Sequence, residues 1–562
     1  MVSIRSAVGG WVRERIPDRR FLKSDVVAAI PGAIGSVPDG MAAGVLAGVS
    51  PVHGLYASFA GPLFGGMQTS TKLMVITTTS ASALAAGSVL ADVPESDRSD
   101  SLILLTAIAG LVMIAAALLR LGRYTRFVSH SVMTGFLTGI AANIVFGQIA
   151  DLTGATATGS VAIAKAFDVI SNPMRIDPAS LATGALALLL LVVLARTRLA
   201  LFGALLALVV PSLVVIGFGL DSVARVADVG TIPTGIPLPQ IPDVGLLSPS
   251  LIGGGMAVAA IVLVQGAGVA EAAPNRDGTR SRTNQDFSAQ GVGNIGSALF
   301  GGMPVGGSVG QTALNETAGA RSRWGAVLSG VWMLVILVLF SGLVGAVPMP
   351  TLAAVLIFAA AGSVRPAQIA SILRSGPSSV IALVTTFLAT LLLPVTAAVG
   401  VGVALSLLLQ LNQEAVDLKV VRLVPAEGGG LGEEAAPKVL RSREVVVLDV
   451  YGSLFYAGAK TLQVRLPDPG DAESPEVVLR LRGRTTLGAT FFRVIADYAD
   501  KLDRRGGLLY LSGLTPEALE FWDQERLDSQ GVVLETFEAT DRIGESTLGA
   551  FEAAQRRLVR RI

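Results

Sequence analysis

In a chain this apolar, the residues able to do chemistry are few and grouped. The stretch GGMPVGGSVGQTALNETAGA, Gly301 to Ala320, places six glycines, a proline and several small polar side chains between two apolar segments. A second stretch, GGMQTSTKLMVITTTSASALAAGS, Gly65 to Ser88, passes from β-prone residues into a Thr- and Ser-rich helix start before alanines take over. Each reads as extended chain leading into a short helix. Irregular chain in lipid leaves amides unpaired, so it persists only where it is buried in protein or lines a wet cavity. Each helix N-terminus offers free amides and about +0.5 of an elementary charge, so two that face one another present about one positive charge without Lys or Arg. Small residues of this kind also serve plain close packing in any membrane bundle. Paired breaks at corresponding places in two halves point instead to a transporter site for an anion.

The side chains that can add donors there are Thr77, Thr78, Thr79 and Ser80 on one side and Ser308, Gln311 and Thr312 on the other, with Val309 and Gly310 contributing backbone amides. Asp39, in VPDGM, is the titratable group within an apolar segment. A carboxylate there is costly and suited to carrying a proton; the alternative is an ionised group in a watery crevice that caps a break after Pro38. Asp286 and Glu271 flank a basic loop and read as surface or helix-cap residues, and Glu316 as a structurally paired one. His53 and His130 have no second ligand at metal spacing, so no metal site is expected. The Gly-rich run ends without Lys-Ser or Lys-Thr, and no nucleophile elbow or dinucleotide fingerprint is present. Neither a catalytic residue nor a cofactor is expected.

These groups need a scaffold, and composition says which. Of 562 residues, 51% are hydrophobic and 15% charged, and the mean hydropathy is +0.64, well above that of a water-soluble globule. Apolar segments recur from Val26 to Leu411, long enough for helices to span a bilayer, which is the predicted lipid partner. A net charge of +1 gives no reason to expect nucleic acid, and the absence of cysteine excludes disulfides, thiolate metal sites and thiol catalysis. The charged N-terminal segment, residues 1–24, lacks a signal-peptide pattern and is expected to be a surface helix retained in the mature protein.

Fourteen apolar segments are expected, centred near Val37, Ala57, Ala83, Ala109, Gly139, Leu188, Ala207, Ala259, Asn294, Asn315, Leu334, Ile357, Val384 and Leu405. Basic residues fall in loops after even-numbered segments: Lys72, then Arg120, Arg123 and Arg126, Arg196 and Arg198, Arg276, Arg280 and Arg282, Arg321 and Arg323, Arg365 and Arg374. Acidic residues such as Asp92, Glu95, Asp97, Asp221, Asp228 and Asp243 lean to the odd loops. The charge bias of membrane proteins therefore predicts even loops and both termini on the cytoplasmic side of the cytoplasmic membrane.

The transport domain is expected over residues 25–412, with halves at about 25–220 and 250–412. Residues 413–443, with PAEGGGLGEEAAPK, read as a linker and the first part of a tail, and residues 444–562 as a soluble β-α-β-α domain. Its strands are expected at Glu444–Val450, Val477–Gly483, Gly507–Gly513 and Gly531–Thr536. Its helices are expected at Ala457–Val464, Ala489–Asp503, Pro516–Asp528 and Asp541–Arg561.

Three stretches together resemble the SulP-type anion permeases, the sulfate permease family: VPDGMAAGVLAGVSPVHGLYAS (Val37 to Ser58), TNQDFSAQGVGNIGSALFGGMPVGGS (Thr283 to Ser308) and the tail, which is similar to a STAS domain. The likeness covers nearly the whole chain. It implies a polytopic α-helical membrane protein with two inverted seven-span repeats, forming a core and a gate domain, followed by a cytoplasmic α/β STAS-like domain. It further implies a homodimer and an anion site between the half-helices of segments three and ten.

Several positions depart from the family pattern. Asp39 stands where Gln is usual, Ala43 where an aromatic is common, and Gln265 where Glu occurs. Gly310, Gln311 and Thr312 replace a Ser-Arg-Ser, and GATF (Gly488 to Phe491) replaces the tail's Asp-Ser-Thr-Gly type signature, so phosphorylation switching is not expected. Loss of the Arg leaves about one unit of dipole charge, and Asp39 adds a titratable acid. The expectation is a secondary active transporter for small anions, in which a proton on Asp39 removes repulsion against an oxyanion or small dicarboxylate. The alternatives are an uncoupled anion channel or exchanger, a nucleobase permease of the related fold, and a regulatory protein that acts through its tail.

Overall fold

The computed structural model describes residues 19–560 apart from 128, 160, 198, 200–201, 230–236, 417, 426–430, 455, 482–486, 517 and 519–532. The chain divides into two compact units, Met1–Ser406 and Leu407–Ile562.

The first unit is built on α1 (Arg19–Leu46), α2 (Pro51–Ala60), β1 (Ile76–Thr78), α3 (Ser80–Leu90), α4 (Arg98–Leu118), α5 (His130–Gly147), α6 (Pro178–Leu194) and α7 (Gly203–Gly217). It continues with α8 (Pro249–Ala272), α9 (Thr283–Leu299), β2 (Val305–Gly307), α10 (Val309–Thr317), α11 (Trp324–Gly345), α12 (Met349–Ser363), α13 (Pro377–Leu392) and α14 (Val395–Val416), the last running past the division. Each of the fourteen segment centres falls in its own helix. Among the described residues, four helical stretches are individually long and apolar enough to cross a membrane, and a bent pair, Met349–Ser363 with Pro366–Ser375, makes a fifth. Shorter apolar helices, α3, α6, α7 and α13 among them, make up much of the rest. Starts follow local chemistry: Ser50, Thr79, Ser129, Asp177, Ser248 and Ser308 cap α2, α3, α5, α6, α8 and α10 with their side chains. Proline occupies the first position of α2, α6, α8 and α13, where its missing amide costs nothing.

One boundary moves. Residues 19–24, expected in a surface helix separate from the first apolar segment, are continuous with it in α1. The Arg and Lys of this turn break the apolar pattern without breaking the helix, because both are good helix formers.

Loop contacts sort by parity. Among even loops, Lys72 pairs with Asp277, Asn275 Nδ2 donates to Ser70 O at 3.0 Å, and Gly122 N donates to Asn284 Oδ1 at 2.9 Å. At the same face, Arg321 N donates to Asp25 at the start of α1 at 2.7 Å. Hydrogen bonding from Lys72 holds the Asp277 carboxyl down at about 2, which keeps that link charged at neutral pH. Among odd loops, His53 Nδ1 lies 2.6 Å from Gly301 O, its Nε2 lies 3.1 Å from Ser99 Oγ, and Val226 N donates to Val347 O at 2.9 Å. The loops after segments two and eight thus touch one another, and the loop after ten touches the start of α1.

Asp286 corrects its expectation. It is buried, not on the surface, because its carboxylate accepts from the amides of Ser70 (2.6 Å) and Thr71 (3.1 Å) and from the hydroxyls of Thr69, Ser70 and Thr71. One buried carboxyl group at the start of α9 therefore fixes the turn that leads into β1. Glu316 behaves as expected, pairing with Arg276 at the surface.

In the second unit, six strands lie in the order β4-β3-β5-β6-β7-β8: β3 (Lys419–Pro425), β4 (Leu431–Ala435), β5 (Val445–Tyr451), β6 (Glu476–Arg480), β7 (Leu508–Leu514) and β8 (Leu534–Glu538). β5 to β8 pair in parallel, and β3 pairs antiparallel with both β4 and β5. α15 (Tyr456–Arg465), α16 (Ala489–Asp503) and α17 (Glu545–Arg560) cover the sheet. Strand alternation decides the faces: Val477, Leu479, Leu509 and Leu511 pack with the apolar side of α16, whereas Val478, Leu508 and Tyr510 pack with Ala550 and Ala554 of α17. The predicted linker is the second correction, since part of it forms the β3–β4 hairpin edge. β4, LGEEA, has almost no apolar alternation and is held by backbone pairing, so its sequence gives no strand signal. The expected helix Pro516–Asp528 lies almost wholly outside the described residues, as do residues 531–532 of the last expected strand.

Replacing Asp286 with Ala leaves two amides and three hydroxyls without their acceptor in a buried turn. The expected loss is about 3 kcal/mol of stability, read as a lower thermal midpoint in detergent relative to wild type.

Candidate functional site

The centre of the first unit is a two-stranded ribbon of six residues. β1 and β2 pair antiparallel, with Ile76 opposite Gly307, Thr77 opposite Gly306 and Thr78 opposite Val305. Each strand passes directly into a helix, β1 into α3 and β2 into α10, so the two helix N-termini leave from opposite ends of one ribbon. Thr79 caps α3 by accepting from Ser82 N at 3.1 Å, while Ser82 Oγ accepts from Thr79 N at 3.3 Å. Ser308 caps α10 by accepting from Gln311 N at 3.3 Å.

The ribbon explains the glycines. A Cβ on Gly306 would meet Val262 of α8 at 2.5 Å, so β2 lies against the helix only without a side chain there. A similar limit sets the crossing of α1 and α2, where a Cβ on Gly54 would sit 1.7 Å from the carbonyl oxygen of Gly40, next to Asp39.

What the strands cannot satisfy, polar side chains do. Asn294 of α9 accepts from Val305 N at 3.0 Å and donates to Val305 O at 2.7 Å, and Gln290 accepts from Gly307 N at 3.2 Å. Ser297 donates to Met303 O at 2.7 Å, Thr312 accepts from Val75 N at 3.1 Å, and Asn315 donates to Leu73 O at 3.0 Å. The sequence reading missed Gln290, Asn294 and Ser297. Their signal was present: Asp286, Gln290, Asn294 and Ser297 recur at steps of four, four and three along α9, a buried polar stripe on one face.

A cavity of about 890 Å³ opens beside the ribbon. Asp39 and Ala43 of α1, Thr78, Thr79 and Ser80, Gln265 of α8, and Ser308, Val309 and Gly310 line one wall. Met133, Thr134, Leu137 and Thr138 of α5 and Val355, Leu356, Ala359 and Ala360 of α12 line the other. The cavity extends to His130, Glu271, Arg365 and Gln368, all at even-loop ends of the helices. Thr79 Oγ1 donates to Gln265 Oε1 at 3.3 Å, which ties the start of α3 to α8. The arrangement can bind an anion with amides and hydroxyls, and it places one carboxyl group on the same wall.

Seven of the expected residues, Asp39, Thr78, Thr79, Gln265, Ser308, Val309 and Gly310, therefore share one cavity. Two do not line it. Thr77 alternates to the other side of β1 from Thr78, and its buried Oγ1 has no hydrogen-bond partner. Gln311 is buried behind the wall, where its Nε2 donates to Asp39 Oδ2 at 2.7 Å. Ser80, the further candidate donor, does line the wall.

The family model described as the sulfate permease family matches residues 22–388. A probable sulfate transporter of Mycobacterium tuberculosis (strain CDC 1551 / Oshkosh) is 28% identical, spanning 88% of this chain and 90% of its own length. Human solute carrier family 26 member 6 is 25% identical over 70% of this chain and 56% of its own length. Among solved structures, SLC26A9 aligns with a TM-score of 0.83 at 17% identity, over 98% of this chain and 93% of its own. The transmembrane domain of a cyanobacterial bicarbonate transporter, BicA, aligns with a TM-score of 0.60 at 21% identity, over 68% of this chain and 99% of its own. These structural likenesses are of fold.

Asn294→Leu keeps the volume of α9 but strands the amide and carbonyl of Val305 in a dry interior. It is expected to cost about 2 to 3 kcal/mol, seen as a lowered melting temperature of the purified protein and a matching fall in anion affinity.

Proposed function

The chain belongs to the sulfate permease family, and from that membership we propose that it is a proton-coupled symporter of a small oxyanion or dicarboxylate that works by alternating access. As a member of that family it is a multi-pass membrane transporter of anions and not an enzyme. The observation that carries the finer reading is the shared cavity wall: the N-termini of α3 and α10 stand on it together with Asp39, and among the described lining residues the one Lys or Arg is Arg365, at the even-loop end.

The charge balance gives the mechanism. Two helix N-termini contribute about one positive charge, and an ionised Asp39 cancels it. An anion entering that site meets no net attraction; a proton on Asp39 restores it. Proton and anion then bind as a pair and cross together. Thr78, Thr79 and Ser308 supply hydroxyls, Val309 and Gly310 supply amides, and Gln265 supports Thr79. Thr77 is withdrawn from the binding set and Gln311 is assigned to Asp39 in place of the anion. Ala43 leaves the wall open where a larger side chain would fill it.

Since the cavity reaches the arginine-rich even-loop ends, the proposed orientation makes this an inward-open state, with both termini cytoplasmic and the protein in the cytoplasmic membrane. Two inverted seven-span repeats and a homodimer, which the resemblance implies, complete the proposal. Relatives named as sulfate transporters favour an oxyanion as substrate.

In proteoliposomes with a trapped pH dye, a panel of anions including sulfate, bicarbonate, chloride and fumarate is added outside. The reading predicts internal acidification with at least one of them in wild type, and at least a tenfold lower rate in Asp39→Asn. Uptake without acidification, equal in the two proteins, identifies an exchanger or channel and removes the proton from the account.

A further inference from the structure

Asp39 of α1 and Gln311 of α10, far apart in the chain, face one another. Gln311 donates Nε2–H to Asp39 Oδ2 at 2.7 Å, while its own Oε1 is buried and accepts no hydrogen bond. A side-chain amide has donors on one atom and an acceptor on the other, and so does a protonated carboxyl group; an ionised carboxylate only accepts. The existing bond therefore suits both states of Asp39, whereas the idle Oε1 suits only the protonated one.

We propose that Asp39 and Gln311 form a two-bond proton receptor, in which a proton on Asp39 Oδ1 is held by Gln311 Oε1 while Nε2–H remains bonded to Oδ2. This rests on the proton-coupled reading of the cavity, and it makes Gln311 a positioning residue that acts through Asp39. The step balances simply: a hydronium ion from solution gives up one proton, its O–H bond breaking to leave water, one O–H bond forms on Oδ1, and the buried carbonyl gains its missing donor. A buried acceptor left empty carries a desolvation cost that the arriving proton removes. Because Gln311 lies in the first turn of α10, protonation also fastens the anion-binding end of that helix to α1.

Other charged groups leave this pair to itself. On α1, Asp25 accepts from the backbone amides of Arg321 and Ser322 and from the Ser322 hydroxyl, and Arg19, Arg20 and Lys23 lie exposed at the helix start; on α10, Glu316 pairs with Arg276. α2 carries His53, engaged with Gly301 and Ser99, and Tyr56. The facing cavity walls contribute His130, Glu271 and Arg365, at the even-loop ends. α3, α11 and α12 carry no titratable side chain.

Infrared difference spectroscopy on the full-length protein in lipid, titrated from acid to neutral pH, reads the receptor directly. Wild type is expected to show a titrating carboxylic-acid carbonyl band that is absent from Asp39→Asn; absence of that band from wild type defeats the proton-coupled reading itself. In Gln311→Met the Asp39 band is expected to persist at higher frequency, because the second hydrogen bond is gone. In Gln311→Glu two carboxyl groups share one proton, and the midpoint is expected to rise by about one pH unit or more, tenfold in proton concentration. A wild-type band that is present but unmoved in frequency by Gln311→Met, with an unmoved midpoint in Gln311→Glu, overturns the receptor while leaving Asp39 as the proton site.

Discussion

Backbone amides inside a membrane protein must find partners within the protein, and in this chain that requirement is met by three residues of one half pairing with three of the other. Ile76–Thr78 and Val305–Gly307 are the only described strands of the first unit, and each satisfies the other. Much of the local architecture serves that pairing. Glycine at 306 lets the ribbon lie against α8, Asn294 and Gln290 bind its outer groups, and Asp286 fixes the turn before it. A ribbon so held delivers two helix N-termini to one cavity, something neither stretch can do alone.

From that arrangement the electrostatics follow. Helix ends supply a fixed, modest positive field with no long side chain to order, and hydroxyls at the caps shape it. In the proposed symport, Asp39 supplies a variable charge against the fixed one. The Asp39–Gln311 contact links the two positions at which the resemblance implies Gln and Arg, and in the proposal it sets a titratable group beside the helix ends in place of a permanent cation. The binding region is kept polar through hydrogen bonds and not through ion pairs; Lys72 with Asp277 and Arg276 with Glu316 make their ion pairs away from it, in loops of the even face.

The large features were legible because they rest on patterns with a physical cause. Apolar segment length placed fourteen helix centres, and the Gly- and Ser-rich interruptions marked both strand-to-helix passages. The details that stayed hidden depend on contacts between distant segments. Nothing local to Thr77 says which face of a three-residue strand it takes. Asp286 looks like a surface acid beside arginines until the Thr69–Thr71 turn is brought to it, and β4 is a strand only because β3 offers it a backbone edge. The Gln290–Asn294–Ser297 stripe is the exception: its helical period stood in the sequence, and its meaning needed the ribbon.

The central claim is that an anion is held between the first turns of α3 and α10. Hydrogen–deuterium exchange on the full-length protein in lipid, with and without a transported anion at saturating concentration, tests it most directly. The account predicts slowed exchange at the amides of Ser80 and Ala81 and of Val309 and Gly310, which the caps leave free, appearing together and at the same anion concentration. Protection elsewhere on the cavity wall, with these two turns unchanged while the anion is bound, would contradict it.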